Sequence, residues 1–125
     1  MEIRVLYPSD IEQLKVIHEK FYKDEFDFPN FYDKFLCAFT VTDNSHIICS
    51  GGVRTITESV IITNKDFDIA SKREALYKML HANMFTVGRC GYNELHAFIQ
   101  DDNWLRHLKK IGFRNTKGTS LVLSV

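Results

Sequence analysis

Residues 101–113 read DDNWLRHLKKIGF, and the rest of the chain can be ordered around them. Asp101, Asp102 and Asn103 carry short side-chain oxygens, which accept the amide hydrogens left free at a helix start. The sequence predicts a short helix from Trp104 to Ile111, made basic by Arg106, Lys109 and Lys110. Gly112 follows as the residue that ends it, because glycine enters the left-handed region at little steric cost. Residues 94–100 before it and 113–115 after it have strand character. The whole is a strand–helix–strand segment.

Working outward, residues 120–125 read as a last strand, across a turn at Lys117-Gly118. Upstream, SKRE at residues 71–74 has the form of a capping box, in which the Ser71 hydroxyl meets the Glu74 amide and the Glu74 carboxylate reaches back. Leu76, Met79, Leu80, Met84 and Phe85 then predict a long, largely buried helix closing near Gly88 or Gly91. A strand at residues 60–63 and the polar loop NKDFDIA precede it. Residues 36–42 and 46–56 are rich in strand formers on either side of Asp43-Asn44-Ser45, which predicts a hairpin. Gly51-Gly52 inside the second arm marks a bulge or a close backbone approach. At the start, residues 3–7 form a strand, Pro8-Ser9-Asp10 offers cap oxygens, and Leu14, Ile17, His18 and Phe21 define a helix from Ile11. The aromatic run FDFPNFYDKF, residues 26–35, suggests a second short helix or a lid over a cleft.

The order is therefore β-α-(α)-β-β-β-α-β-α-β-β, with no repeat or linker: one α/β domain spanning residues 1–125. The chain of 125 residues balances 16 Lys+Arg against 16 Asp+Glu, and 45% of it is hydrophobic. A chain of that length can form its own core without metal or disulfide. Its neutrality removes the global positive field on which phosphate-backbone binding depends, so nucleic acid is an unlikely partner. Cys37, Cys49 and Cys90 are widely spaced and form no CxxC pair, so they read as small buried hydrophobes in a reducing compartment. The N-terminus lacks the marks of a signal peptide, and no run approaches ~18 apolar residues. A cytoplasmic, non-membrane protein is the expectation.

The element order and the motif at residues 101–113 resemble the GCN5-related N-acetyltransferase (GNAT) superfamily. By order of elements the resemblance covers nearly the whole chain; by motif it covers about thirteen residues. Gly51-Gly52, VIITNK, the loop entering SKREALYKML and WLRHLKKIGF further resemble small GNAT-like proteins of T7-like short-tailed phages. The resemblance implies a mixed central sheet, α+β in the broader sense, splayed between strands 4 and 5 (residues 60–63 and 94–100). It implies acetyl-CoA as co-substrate and an amine acceptor. The cofactor would lie along Ile61, Ile62 and Thr63, with Asn103 nearby. Its phosphates would meet Ala70, Ser71, Lys72 and Arg73 at a helix start, where free amides and the helix dipole favour anions. Read by themselves, the same residues also fit a capped helix start with two solvated charges.

Two features depart from the family pattern. The loop corresponding to its glycine-rich pyrophosphate signature, residues 68–73, holds no glycine and begins with Asp68. The family's usual acid, a tyrosine, falls at Leu108. His107 beside it, an imidazole able to carry a proton, is the candidate acid; Glu58 is the candidate base that deprotonates the amine. Either could equally be an ordinary solvated or packed side chain. No residues have metal-ligand spacing. Between residues 106 and 117 five basic residues occur without an acid, while acids and aromatics concentrate in residues 19–33. In the enzyme reading the basic stripe faces cofactor phosphates and the acidic aromatic segment selects a cationic amine. In the competing reading the fold has lost catalysis and serves as a phage virion or assembly protein. A homodimer or a virion protein is then the partner, and host cytoplasm or virion the location.

Overall fold

Three strands, β1 (Glu2–Val5), β2 (Phe35–Asp43) and β3 (His46–Arg54), form one antiparallel sheet in the order β1-β2-β3. They belong to a computed structural model that describes residues 1–125. The predicted hairpin is present: Asn44 and Ser45 take φ of 47° and 69°, the left-handed pair of a tight primed turn. Val5 pairs with Phe39 and Ile3 with Val41, so these apolar residues share one face of the sheet. The ladder slips once at Leu36 and once at Ile48, each an extra residue between paired neighbours.

Gly52 explains the double glycine. It sits opposite Ala38, and a Cβ there would lie 2.0 Å from the Cys37 carbonyl oxygen. A Cβ at Gly51 would meet nothing within 4 Å. The close approach belongs to one glycine only.

Helix α1 (Ile11–Phe21) buries Leu14 in the same unit as buried Leu6 and Thr40. Asp10 does not cap it as the sequence suggested; it makes no cap bond from its side chain. Its carboxylate turns back instead, accepting from both Arg4 guanidinium nitrogens at 2.7 and 2.8 Å and from the Tyr7 amide at 2.8 Å. Buried Thr40 also bonds it, and Ser50 donates in turn to Thr40 Oγ1 at 2.9 Å. The Arg4 side chain holds the Asp10 carboxyl down to about 2, with the Tyr7 amide adding to the effect. The guanidinium also stacks 4.4 Å from the Tyr7 ring.

The aromatic run forms no second helix. Residues 26–34 are turns and irregular backbone held by ring contacts: His18 lies edge-on to Phe26 and Phe28, and Phe31 bridges Phe28 and Phe35. His18 Nε2 also reaches the Phe26 carbonyl at 2.6 Å. Pro29 and the breaks around it leave too few consecutive residues for helical bonding.

By its contacts the chain divides into two compact units, Met1–Thr57 and Glu58–Val125. The second holds α2 (Ile69–Arg89) and α3 (Asp102–Ile111). Its core is Leu76, Leu80 and Leu108, ringed by Ile61, Ala97, Ile99, Trp104, Ile111 and Phe113. Leu76 and Leu80 stand one turn apart, so α2 buries a single narrow stripe. Met79, Met84 and Phe85 are exposed, contrary to the expectation of a largely buried helix. Gly112, at φ 120°, closes α3 as the sequence predicted, its amide reaching the Leu108 and Lys109 carbonyls.

Strand-forming composition was not enough for the remaining predicted strands. Residues 60–63 and 94–100 form no ladder; their neighbourhood holds one parallel bridge, between Glu58 and His96. Phe113 folds back instead, its amide donating to the Leu108 carbonyl and its ring joining the core. Residues 120–125 join no ladder, and Leu121, Val122 and Leu123 are exposed. A strand draws its stability from a neighbour rather than from its own backbone preference. The ordered sheet is therefore antiparallel and three-stranded, not a larger mixed one. All three cysteines are free, but Cys49 and Cys90 are exposed rather than buried. No helix is long and apolar enough to cross a membrane.

Candidate functional site

The second unit contains a cavity of about 370 Å³. Its walls begin at the parallel bridge between Glu58 and His96, where the Ser59 amide donates to the His96 carbonyl at 2.8 Å. Beyond that bridge, residues 58–61 and 97–101 line the cavity together with Leu80, Trp104, Leu108 and Phe113. Asn83 of α2 donates to Ser59 Oγ at 2.9 Å, fixing the first segment to the helix. Leu80 and Leu108 belong to the core, so the lining is continuous with the best-packed part of the unit.

The charge in this lining has one sign. Glu58 and Asp101 are its two ionisable residues, and no Lys, Arg or His contributes. One Asp101 oxygen accepts from the Trp104 amide at 2.9 Å, which makes Asp101 the cap of α3. The remaining lining is mainly aliphatic and aromatic, with Ser59 and Gln100 supplying neutral polar groups.

The candidate residues divide between this cavity and the surface. Glu58 and Ile61 line it; Ile62 and Thr63, expected beside them, are exposed and outside it. Asn103 is exposed and accepts from Arg106 within α3. His107 is also outside the lining: its ring stacks on Trp104 at 5.9 Å and meets Tyr77 edge-on at 6.2 Å. Leu108, where a family tyrosine would stand, is buried and reaches the cavity. Helix α3 turns the two neighbours about 100° apart, and this separates the titratable one from the cavity.

Ala70, Ser71 and Lys72 lie in the first turn of α2 and Arg73 just beyond it, but the cap is not the predicted capping box. Asp68 is the N-cap residue. Its carboxylate accepts from the Ser71 amide at 2.8 Å and the Ser71 hydroxyl at 2.7 Å. These two bonds draw the Asp68 carboxyl below the usual carboxylate range. Glu74 points elsewhere, pairing with Lys78 one turn on at 2.7 Å. Both Ser71 donors are thus engaged by a carboxylate, and an incoming phosphate has to compete with it. Lys72 and Arg73 remain as cations near the same helix start.

The aromatic residues expected to form a lid lie in the first unit, and the cavity lies in the second. Of the basic stripe, Arg114 approaches Glu94 at 3.5 Å, and Glu94 also approaches His96 at 3.6 Å. No group of three or more His, Cys, Asp or Glu is placed to hold a metal ion. Sequence reading missed Leu80, Trp104 and Phe113 as lining residues, since apolar side chains at core spacing carry no mark of a cavity wall. Asp68 did carry a signal. It precedes Ser71 by three residues, the spacing by which a cap side chain meets the N3 amide. The chain matches no protein-family model, no curated protein and no solved structure.

Proposed function

We propose that this chain is an acetyl-CoA-dependent N-acetyltransferase of GNAT type, acting on an amine by direct transfer. The observation that carries the proposal is the cavity bounded by two segments that touch in parallel at Glu58 and His96. In the GNAT reading these segments correspond to the splayed fourth and fifth strands. The acetyl end of a thioester suits this largely apolar lining better than a phosphate does, and the bulk of the cofactor would lie outside it. The phosphates would lie outside it, with Lys72 and Arg73 near the start of α2 as the candidate cations.

The reaction asks little of the side chains. Glu58 takes a proton from the attacking ammonium, directly or through water, and the freed amine forms a C–N bond at the thioester carbonyl. The nitrogen of the tetrahedral adduct gives its surplus proton to water, the C–S bond breaks, and the thiolate leaves with the electron pair and takes a proton from solvent. Holding both reactants in one cavity supplies much of the rate, ~7–11 kcal/mol in favourable cases. His107 is not needed as an acid in this scheme.

A second reading rests on Asp68. A carboxylate seated on the donors of the α2 start is what a GNAT-like virion or assembly protein without catalysis would tolerate. Thermal melting separates the two. Acetyl-CoA at 100 times its Kd should stabilise the native chain by about 2.7 kcal/mol. A shift accompanied by thiol release across an amine panel supports the transferase. A shift without release supports binding alone, and no shift at millimolar acetyl-CoA removes the transferase reading.

A further inference from the structure

The proposed transferase reading leaves the acceptor open, and the lining of the cavity narrows it. We propose that the cavity selects an apolar primary amine, a short alkyl or aryl chain ending in one ammonium group. This inference rests on the transferase reading for its chemistry, but the recognition it describes can be measured without acetyl-CoA.

Two observations carry it. The ionisable groups of the lining are both carboxylates, Glu58 and Asp101, with no cation beside them. Asp101 uses one oxygen for the Trp104 amide and keeps the other. An anionic ligand would meet two carboxylates of its own sign, whereas an ammonium gains charge-assisted hydrogen bonds from them. The rest of the wall is apolar: Ile61, Leu80, Phe98, Ile99, Trp104 and Leu108 offer aliphatic and aromatic surface. A polyamine or an aminosugar would bring several charges or hydroxyls against a wall whose neutral polar side chains are Ser59 and Gln100, too few to bond them all. A single charge on an apolar body satisfies both halves of the lining. Segment 58–61 is tied at Ser59 to Asn83 and to His96, so the carboxylate of Glu58 projects from an anchored backbone.

The test uses the full chain and three series of equal length: n-alkylamines, n-alkanols and n-alkanoates from butyl to octyl, titrated calorimetrically. Burial of each methylene at ~0.8 kcal/mol corresponds to about fourfold tighter binding per added carbon until the cavity is filled. Amines should bind roughly tenfold or more tightly than alkanoates of the same length. The paired substitution Glu58→Gln with Asp101→Asn should abolish that preference while retaining the chain-length dependence. Asparagine still accepts from the Trp104 amide, so α3 keeps its cap, and far-ultraviolet circular dichroism should be unchanged.

Equal or tighter binding of alkanoates overturns the proposal, as does affinity independent of chain length or a preference that survives the paired substitution. So does the absence of binding in all three series. Amine binding without an acetyl-CoA melting shift keeps the selective cavity and rejects the transferase. An acetyl-CoA shift with no amine preference does the reverse.

Discussion

Replacing Asp10 by alanine is expected to destabilise the first unit by about 2–4 kcal/mol, a large fraction of the total stability of a small domain. The cost comes from what is left behind. The Arg4 guanidinium loses both oxygens of its bidentate partner, and its side chain is only 30% exposed, so water replaces that partner poorly. The Tyr7 amide and the Thr40 hydroxyl lose an acceptor at the same moment. Urea unfolding followed by circular dichroism measures the loss.

The same carboxylate gives a pH signature. Its folded pKa lies near 2 against an ordinary 3.8, so its contribution is complete above about pH 4–5 and fades as pH falls toward 2. Allowing for solvent screening, that contribution is about 1–2 kcal/mol. The Asp10→Asn variant should start less stable and lose less between pH 5 and 2. Equal acid sensitivity in the two proteins would show that other carboxylates dominate.

The second large effect is expected at Gly52. Gly52→Ala should cost about 3 kcal/mol, whereas Gly51→Ala should stay within about 0.5 kcal/mol of the parent. The added methyl group at Gly52 would lie 2.0 Å from the Cys37 oxygen and 2.9 Å from the Ala38 Cα. Both are backbone atoms, so no rotamer change relieves the overlap and strands β2 and β3 must separate locally. The Gly51 control carries the same chemical change into open space. Equal effects of the two substitutions would refute the close-approach account.

How much of this was visible in the sequence depends on whether a feature is local. Asn44-Ser45, the start of α1 at Ile11 and the Gly112 stop are set within a few residues, and all three were legible. So was the need for glycine in the Gly51-Gly52 pair, though not which of the two. The bonds of Asp10 were not legible. Capping is the commonest use of an aspartate at a helix start, and nothing local reveals that Arg4 and Thr40 come within its reach. The strands expected at residues 60–63, 94–100 and 120–125 failed for a related reason: a strand is a property of a pair, and the pairing partner is not written in the segment. At the candidate site, Glu58 and Ile61 were named from the sequence and do share a cavity. Its apolar wall was not legible, since core spacing does not mark a cavity. The competition of Asp68 for the start of α2 is signalled by its spacing to Ser71, in a stretch that otherwise reads as a loop.

The tight turn at Asn44 and Ser45 has a kinetic consequence. Closing β2 on β3 orders two loop residues, while joining β1 to β2 closes a loop of about thirty residues and bridging Glu58 to His96 one of about forty. Folding should therefore begin at the hairpin, within microseconds, and wait for the longer closures. Ser45 is the strained partner in that turn, with φ of 69° on a residue that carries a Cβ. Ser45→Gly relieves ~1 kcal/mol and should accelerate folding of the first unit by about fivefold while leaving its unfolding rate nearly unchanged. Stopped-flow refolding reads both rates. A change confined to unfolding would place the hairpin late, so that the turn is a finishing clasp and not the point where folding starts.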